Sequence, residues 1–291
     1  MSRWDISNIS DQNGRTFIVT GGNSGLGAET VRALAEAGAE VVLACRNVAK
    51  GERVAAKLER VLVRELDLAD LNSVRVFAEG IDRADVLINN AGVMALPEGR
   101  TVDGFEMQFG TNHLGHFALT GYLLDKISDR IVTVASLAHQ FGTMDSADPN
   151  WEQRPYQRWS AYAQAKLANL MFARELQRRL SAAGSRQISV AAHPGYAATE
   201  LQSHTESFLD KVMWLGNRLL AQSAAMGALP TLYAATAAVE PGGYYGPTGF
   251  GGMRGYPGPS ASSKESENEQ IAGELWELSE KLTGVTYTFM E

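Results

Sequence analysis

The chain has 291 residues with 26 Lys+Arg against 33 Asp+Glu, a formal charge of −7 that argues against a nucleic-acid binder. With 45% hydrophobic and 20% charged residues it lies well away from the composition that keeps a chain disordered, so a globular protein is expected. The length is about twice the ~150-residue prior for one domain, but large α/β folds run to ~250 residues as one unit, and a single domain over 1–291 is the favoured reading. The single cysteine, Cys45, cannot close an intrachain disulfide. The polar stretch 1–14 lacks the apolar run of a signal peptide, and no later stretch is apolar enough to span a bilayer. A cytoplasmic setting without a transmembrane segment is therefore expected.

In chain order, short apolar runs rich in β-branched residues predict strands at 16–20, 40–45, 61–66, 85–89, 130–135 and 187–192. Each is continuous rather than alternating, which predicts a parallel sheet covered on both faces. Helical spacing fills the intervals at 25–37, 48–58, 71–79, 104–126 and 161–180. The first of these helices ends at Gly38, a residue suited to a left-handed turn. The repeated βαβ pattern predicts a doubly wound α/β fold of three αβα layers. Beyond residue 199 helices are expected at 206–220 and 223–238. Eight glycines and four prolines then crowd 241–259, which reads as loop around one short strand at most. A polar connection leads to a last helix near 271–282.

The first strand runs straight into Gly21-Gly22-Asn23-Ser24-Gly25-Leu26-Gly27 and then a helix. A strand that turns sharply into a helix aims free N–H groups and the positive helix end at one spot, and glycines admit a pyrophosphate without Cβ clashes. Gly21, Asn23, Ser24, Gly25, Leu26 and Gly27 are thus the candidate cradle of a nucleotide. Arg46 ends the second strand, where a dinucleotide fold meets the adenosine ribose. An acidic residue there would select a free 2′-hydroxyl, whereas a guanidinium favours a 2′-phosphate, so NADP(H) is preferred, with NAD(H) still open. Tyr162 and Lys166 lie four apart on one helix face, where an ammonium can stabilise a phenolate and make it a proton shuttle near neutrality.

The spacing TGxxxGxG, from Thr20 to Gly27, resembles the cofactor loop of the short-chain dehydrogenase/reductase family rather than the GxGxxG fingerprint. Further motifs follow in family order to Thr199, over about two thirds of the chain. The resemblance implies a Rossmann-type fold and gives roles to residues that spacing alone leaves open. Asp67, in Asp67-Leu68, is implied to bond the adenine amino group. Asn89-Asn90-Ala91-Gly92 matches the NNAG signature that passes the adenosine ribose, with Asn89 a cofactor contact and Asn90 mostly structural. Ser136 matches the catalytic serine that holds a substrate carbonyl against Tyr162, and Lys166 also contacts the nicotinamide ribose. Asn112 matches the asparagine that bends a long helix and anchors a water in the proton relay. Pro194-Gly195 and Thr199 match the motif that binds the nicotinamide carboxamide.

The phrases 87–94, 108–117 and 166–169 look most like the branch of retinol dehydrogenases and light-dependent protochlorophyllide reductases. This implies a bulky lipophilic small-molecule carbonyl or alcohol. The alternatives are reduction of a conjugated double bond, or a silent NADPH-binding regulator. The insertion 137–161 carries Phe141, Met144, Trp151, Tyr156 and Trp159, which either wall a pocket or fold the loop onto the body. A homodimer or homotetramer is implied by the family, and a substrate-specificity region is expected over about 200–260, with 207–220 a candidate lid. His193 is expected to make a structural hydrogen bond. His113 and His116 lack a nearby acidic third ligand, so no metal is expected.

Overall fold

The computed structural model describes residues 3–196 and 222–289. Along the first strand, β1 (Thr16–Thr20), Phe17 and Val19 point to one side of the sheet and Ile18 to the other, and all three are fully buried. That two-sided burial is why the run is continuously apolar. The strands β2 (Glu40–Cys45), β3 (Val61–Glu65), β4 (Ala84–Asn89), β5 (Ile127–Val134) and β6 (Ile188–Ala192) follow. With β7 (Tyr244–Gly249) and β8 (Arg254–Pro259) they form one sheet in the order β3-β2-β1-β4-β5-β6-β7-β8. All neighbours are parallel except the β7–β8 pair. The order reverses between β1 and β4, which opens a crevice at the carboxyl ends of those strands.

The helices α1 (Gly25–Glu36) and α2 (Val48–Ala55) follow β1 and β2, and α3 (Leu71–Glu79) follows β3. Three residues of α4 (Met107–Phe109) lead through a π turn, Gly110–Leu114, into α5 (Gly115–Leu123). The long α6 (Arg158–Ala182), α7 (Ala224–Thr236) and α8 (Glu269–Thr283) complete the layers. One face of the sheet is covered by Val74 and Phe77 of α3, Phe117 and Leu123 of α5, Phe172 of α6 and Trp276 of α8. The other is covered by Val31 and Leu34 of α1 and Leu232 of α7. The architecture is the three-layer α/β sandwich that the βαβ pattern predicts.

Three expectations need correction. β3 lies at the edge of the sheet, and Leu62 is 59% exposed, so this strand is not covered on both faces. The segment 241–259 is not loop but the β7–β8 hairpin. Its prolines are tolerated because Pro257 and Pro259 sit on the terminal strand, and β7 pairs with β6 only at Tyr244 and Tyr245. Gly246 is required by packing rather than by a turn, since a Cβ there would overlap the His193 ring. The helix expected over 104–126 starts at Met107, where the Glu106 carboxylate accepts from the N–H groups of Gln108 and Phe109. The helix expected over 206–220, with its candidate lid, lies outside the described residues.

Candidate active site

The turn after β1 is built for close approach. Gly21 has φ +68° and a Cβ there would stand 2.9 Å from Ala91 Cα; a Cβ on Gly27 would reach 2.7 Å from Asn90 Nδ2 and overlap Gly21 O. Ser24 caps α1 with extended backbone and no side-chain hydrogen bond to the first turn, while Gly25 takes φ +51° as the helix begins. Glycines packed this tightly, ahead of a helix N-terminus without a side-chain cap, fit the pyrophosphate of a dinucleotide. Asn23 and Leu26 lie on the same turn.

Thr20 fastens this turn to the loop after β4. Its Oγ1 accepts from the N–H groups of Asn90 and Ala91, both at 2.9 Å, and its carbonyl accepts from Asn90 Nδ2 at 2.8 Å. Asn90 is thus structural, as expected. Asn89 has no exposed surface, and its Nδ2 donates to Thr120 Oγ1 at 2.9 Å. At the edge of the crevice Arg46 stands 4.0 Å from Asp67, with its side chain 75% exposed. Asp67 Oδ1 accepts from Ala69 N–H at 2.9 Å, while Leu68 turns into the core. The helix cap that follows is Asp70, not Asp67.

Asn112 lies in the π turn, where the long helix changes its hydrogen-bond period. Its amide docks on both main-chain groups of Val93, accepting from N–H at 2.7 Å and donating to the carbonyl at 2.9 Å. Its own carbonyl accepts from His116 Nδ1 at 2.9 Å. Since a carbonyl only accepts, Nδ1 carries the hydrogen, and the Thr20 hydroxyl donates to Nε2 across 2.9 Å. Burial holds His116 neutral, with its pKa pulled down to about 4. His113 turns instead to Ser279 Oγ, 2.8 Å away. The two histidines therefore serve different partners, and among the described residues no group of three or more His, Cys, Asp or Glu is placed to hold a metal ion.

Ser136 follows the carboxyl end of β5 and caps the short 3-10 turn Leu137–Phe141, its Oγ accepting from Ala138 N–H at 3.2 Å. Tyr162 and Lys166 are both buried on α6, and Lys166 Nζ sits 5.9 Å from the centroid of the Tyr162 ring. Nζ donates to Val134 O at 3.0 Å. A Cβ on Gly92 would stand 3.4 Å from Nζ and 3.2 Å from Asn112 Oδ1, so Gly92 lets these groups approach. Burial raises the Tyr162 hydroxyl above its ordinary value, while side-chain hydrogen bonding from Ser136 acts the other way. Burial lowers Lys166 to about 8. In the chain by itself, burial outweighs the Ser136 hydrogen bond at Tyr162.

On the far side, Gly195 takes φ +66° against the carbonyl of Met253, and Pro194 O accepts from Gln222 Nε2 at 2.7 Å. Thr199 lies outside the described residues. His193 has the structural role expected of it: Nε2 donates to Ser260 Oγ at 2.8 Å while Nδ1 accepts from Gly195 N–H at 3.2 Å.

The aromatics of the insertion divide. Met144 joins a core cluster, Trp151 is buried under Arg154, whose guanidinium carbon is 3.9 Å from the ring centroid, and Tyr156 donates to Glu106 Oε1 at 3.0 Å. Phe141 and Trp159 stay exposed, with Trp159 edge-on to Tyr162 at 6.4 Å. Sequence reasoning missed Gln108 and His139. Gln108 ties Ala95 N–H, the Tyr156 hydroxyl and the carbonyl of Arg158 together. His139 contacts Ser136 three residues away, and that short interval was its only sequence signal.

A family model described as short chain dehydrogenase matches residues 15–210. Retinol dehydrogenase 13 of Homo sapiens is 42% identical, covering 94% of this chain and 85% of that protein. Retinol dehydrogenase 11 of Homo sapiens is 41% identical, covering 94% and 86%. The crystal structure of an uncharacterized protein from Mycobacterium paratuberculosis superposes with a TM-score of 0.88 at 47% identity, over 99% of this chain and 100% of that one. These likenesses span nearly all of both partners and take in every motif from the glycine turn to α6, so the chain belongs to the short-chain dehydrogenase/reductase family of oxidoreductases, in the retinol dehydrogenase branch.

Proposed function

We propose that the chain is an NADP(H)-dependent oxidoreductase that moves a hydride between nicotinamide C4 and the carbonyl or alcohol carbon of a bulky, lipophilic small molecule, with Tyr162 as general acid and base. The observation that carries this reading is the meeting of Ser136, Tyr162 and Lys166 beside the glycine turn, at the carboxyl ends of β1, β4 and β5. Bound there, the cofactor supplies the hydride. In the reducing direction the Tyr162 hydroxyl gives its proton to the developing alkoxide, and Ser136 Oγ donates to the same oxygen. Lys166 stabilises the phenolate that remains, and Arg46 reads the 2′-phosphate. The exposed ring of Trp159 offers apolar surface beside Tyr162, which supports a lipophilic substrate.

The same reading takes the protein as one dinucleotide-binding domain with its specificity region over 200–260, working in the cytoplasm as a homodimer or homotetramer. Among the described residues no helix is long and apolar enough to cross a membrane. Turnover of retinal and a panel of aldehydes, ketones and steroids with NADPH and NADH tests it. Tyr162→Phe is expected to lower turnover by roughly 100-fold or more with cofactor binding intact, and unchanged turnover refutes the assignment. Arg46→Asp is expected to weaken NADPH far more than NADH, and equal loss removes Arg46 as the phosphate reader.

A further inference from the structure

His139 is a fully buried histidine with no part in the chemistry set out above. Its ring stands between two main-chain groups of opposite kind. Ser263 N–H points at Nε2 across 3.2 Å, so that nitrogen carries a lone pair. Nδ1 then carries the hydrogen and donates to the carbonyl of Ser136 at 2.6 Å, with the Tyr244 hydroxyl 3.4 Å away. Burial lowers the pKa of His139 and so favours this neutral form. The same carbonyl also accepts from the His139 main-chain N–H at 3.1 Å. Two residues earlier, Val134 O accepts from Lys166 Nζ and from Asn169 Nδ2 at 3.2 Å. The main chain on which Ser136 rides is thus pinned on one side by α6 and on the other by this imidazole, and the imidazole takes its own orientation from the 263 segment.

We infer that His139 is a positioning residue for Ser136: its Nδ1–H fixes the Ser136 peptide, so that Oγ is presented to Tyr162 and to a substrate oxygen. This rests on the catalytic assignment of Ser136 given above. Two amide substitutions separate the roles of the two ring nitrogens. In His139→Asn the amide nitrogen occupies the place of Nδ1, keeps the bond to Ser136 and loses Ser263. In His139→Gln the amide end reaches the place of Nε2, keeps Ser263 and loses Ser136.

The readouts are NADPH-dependent reduction of all-trans-retinal, the NADPH dissociation constant, and hydrogen exchange at Ala138 N–H, which Ser136 Oγ holds. His139→Gln is expected to lower kcat by roughly 10-fold or more with the NADPH constant unchanged and to lose protection at Ala138; His139→Asn is expected to stay within about threefold of the parent and keep that protection. In a Ser136→Ala background the two substitutions should have equal effects. Equal kcat and equal Ala138 protection in Asn and Gln variants, or the same Gln-specific loss in that background, overturns the inference alone. If Ser136→Ala leaves turnover at the parent level, the catalytic assignment falls and this inference with it. Because the exchange readout needs no turnover, it decides between the nitrogens even if retinal is not a substrate.

Discussion

Lowering the pH from 8 to 5 loads protons, in the unfolded chain, onto histidines that the fold holds neutral. His113 is pulled from an ordinary 6.5 to about 3, His116 and His193 to about 4, each chiefly by burial, and His139, also lowered by burial, adds in the same direction to what these three contribute. In the unfolded chain these rings titrate near 6.5, so between there and pH 4 the unfolded state binds more protons than the native one. Stability is complete above 6.5 and falls as the pH drops towards 4. At pH 5 each ring costs about 2 kcal/mol and the three together about 6, which rivals the net stability of a typical domain at about 5–15 kcal/mol. Glu106, whose pKa burial raises, works in the opposite sense near its own titration. Urea unfolding at constant ionic strength, at half-unit steps from pH 8 to 5, should show the free energy falling ever more steeply, approaching about 4 kcal/mol per pH unit near pH 5 for three protons. His193→Asn should reduce that slope by one proton. A free energy that stays level from pH 6.5 to 5, or an unchanged slope in His193→Asn, refutes the reasoning. Because His116, which joins Thr20 of the cofactor turn to Asn112, stays neutral in the fold until the pH nears 4, its titration should leave that turn intact between pH 6.5 and 5.

Gly27→Ala should abolish NADPH binding, measured by fluorescence titration, while the variant unfolds cooperatively; its Cβ has no room between the Gly21 carbonyl and Asn90. Gly246→Ala should cost about 1–3 kcal/mol in urea unfolding by driving a methyl group into the His193 ring, and an unchanged midpoint shows that the β7–β8 hairpin can move aside.

What the sequence made legible was local. The turn from β1 into α1 needs only neighbouring residues, and Tyr162 with Lys166 needs only the helical repeat, so both could be read without a fold. What escaped depended on distant partners. The glycines of 241–259 suggested loop because nothing nearby says that Gly246 must clear a histidine 53 positions before it in the chain. His139 acquires its role from Ser263, 124 residues away. Leu62 looked like a core residue because the apolar pattern of a strand does not say whether the strand ends up central or at the edge. Tyr162 shows the same limit in energetic form: the sequence puts a lysine one turn away, but the burial that raises the hydroxyl belongs to the assembled layers.

Lys166 draws these strands together. The residue is 4% exposed, its Nζ donates to the carbonyl of Val134, and burial brings its pKa from 10.5 down to about 8. Between those values the unfolded chain holds the proton more firmly than the fold does, so stability rises with pH from about 8 to 10.5 and is lowest below 8. At pH 7 holding this ammonium costs about 3 kcal/mol, and at pH 10 about 1. Lys166→Met keeps the packing volume of the stem and removes the charge. It is expected to be about 3 kcal/mol more stable than the parent in urea at pH 7, less the lost hydrogen bond to Val134, with the gap narrowing at pH 10, and to be unable to reduce a carbonyl. A variant no more stable at pH 7 than at pH 10, relative to the parent, would falsify the burial argument. A lysine that weakens the fold at pH 7 fits the proposed chemistry, which needs its charge, because a neutral residue serves the packing at that position.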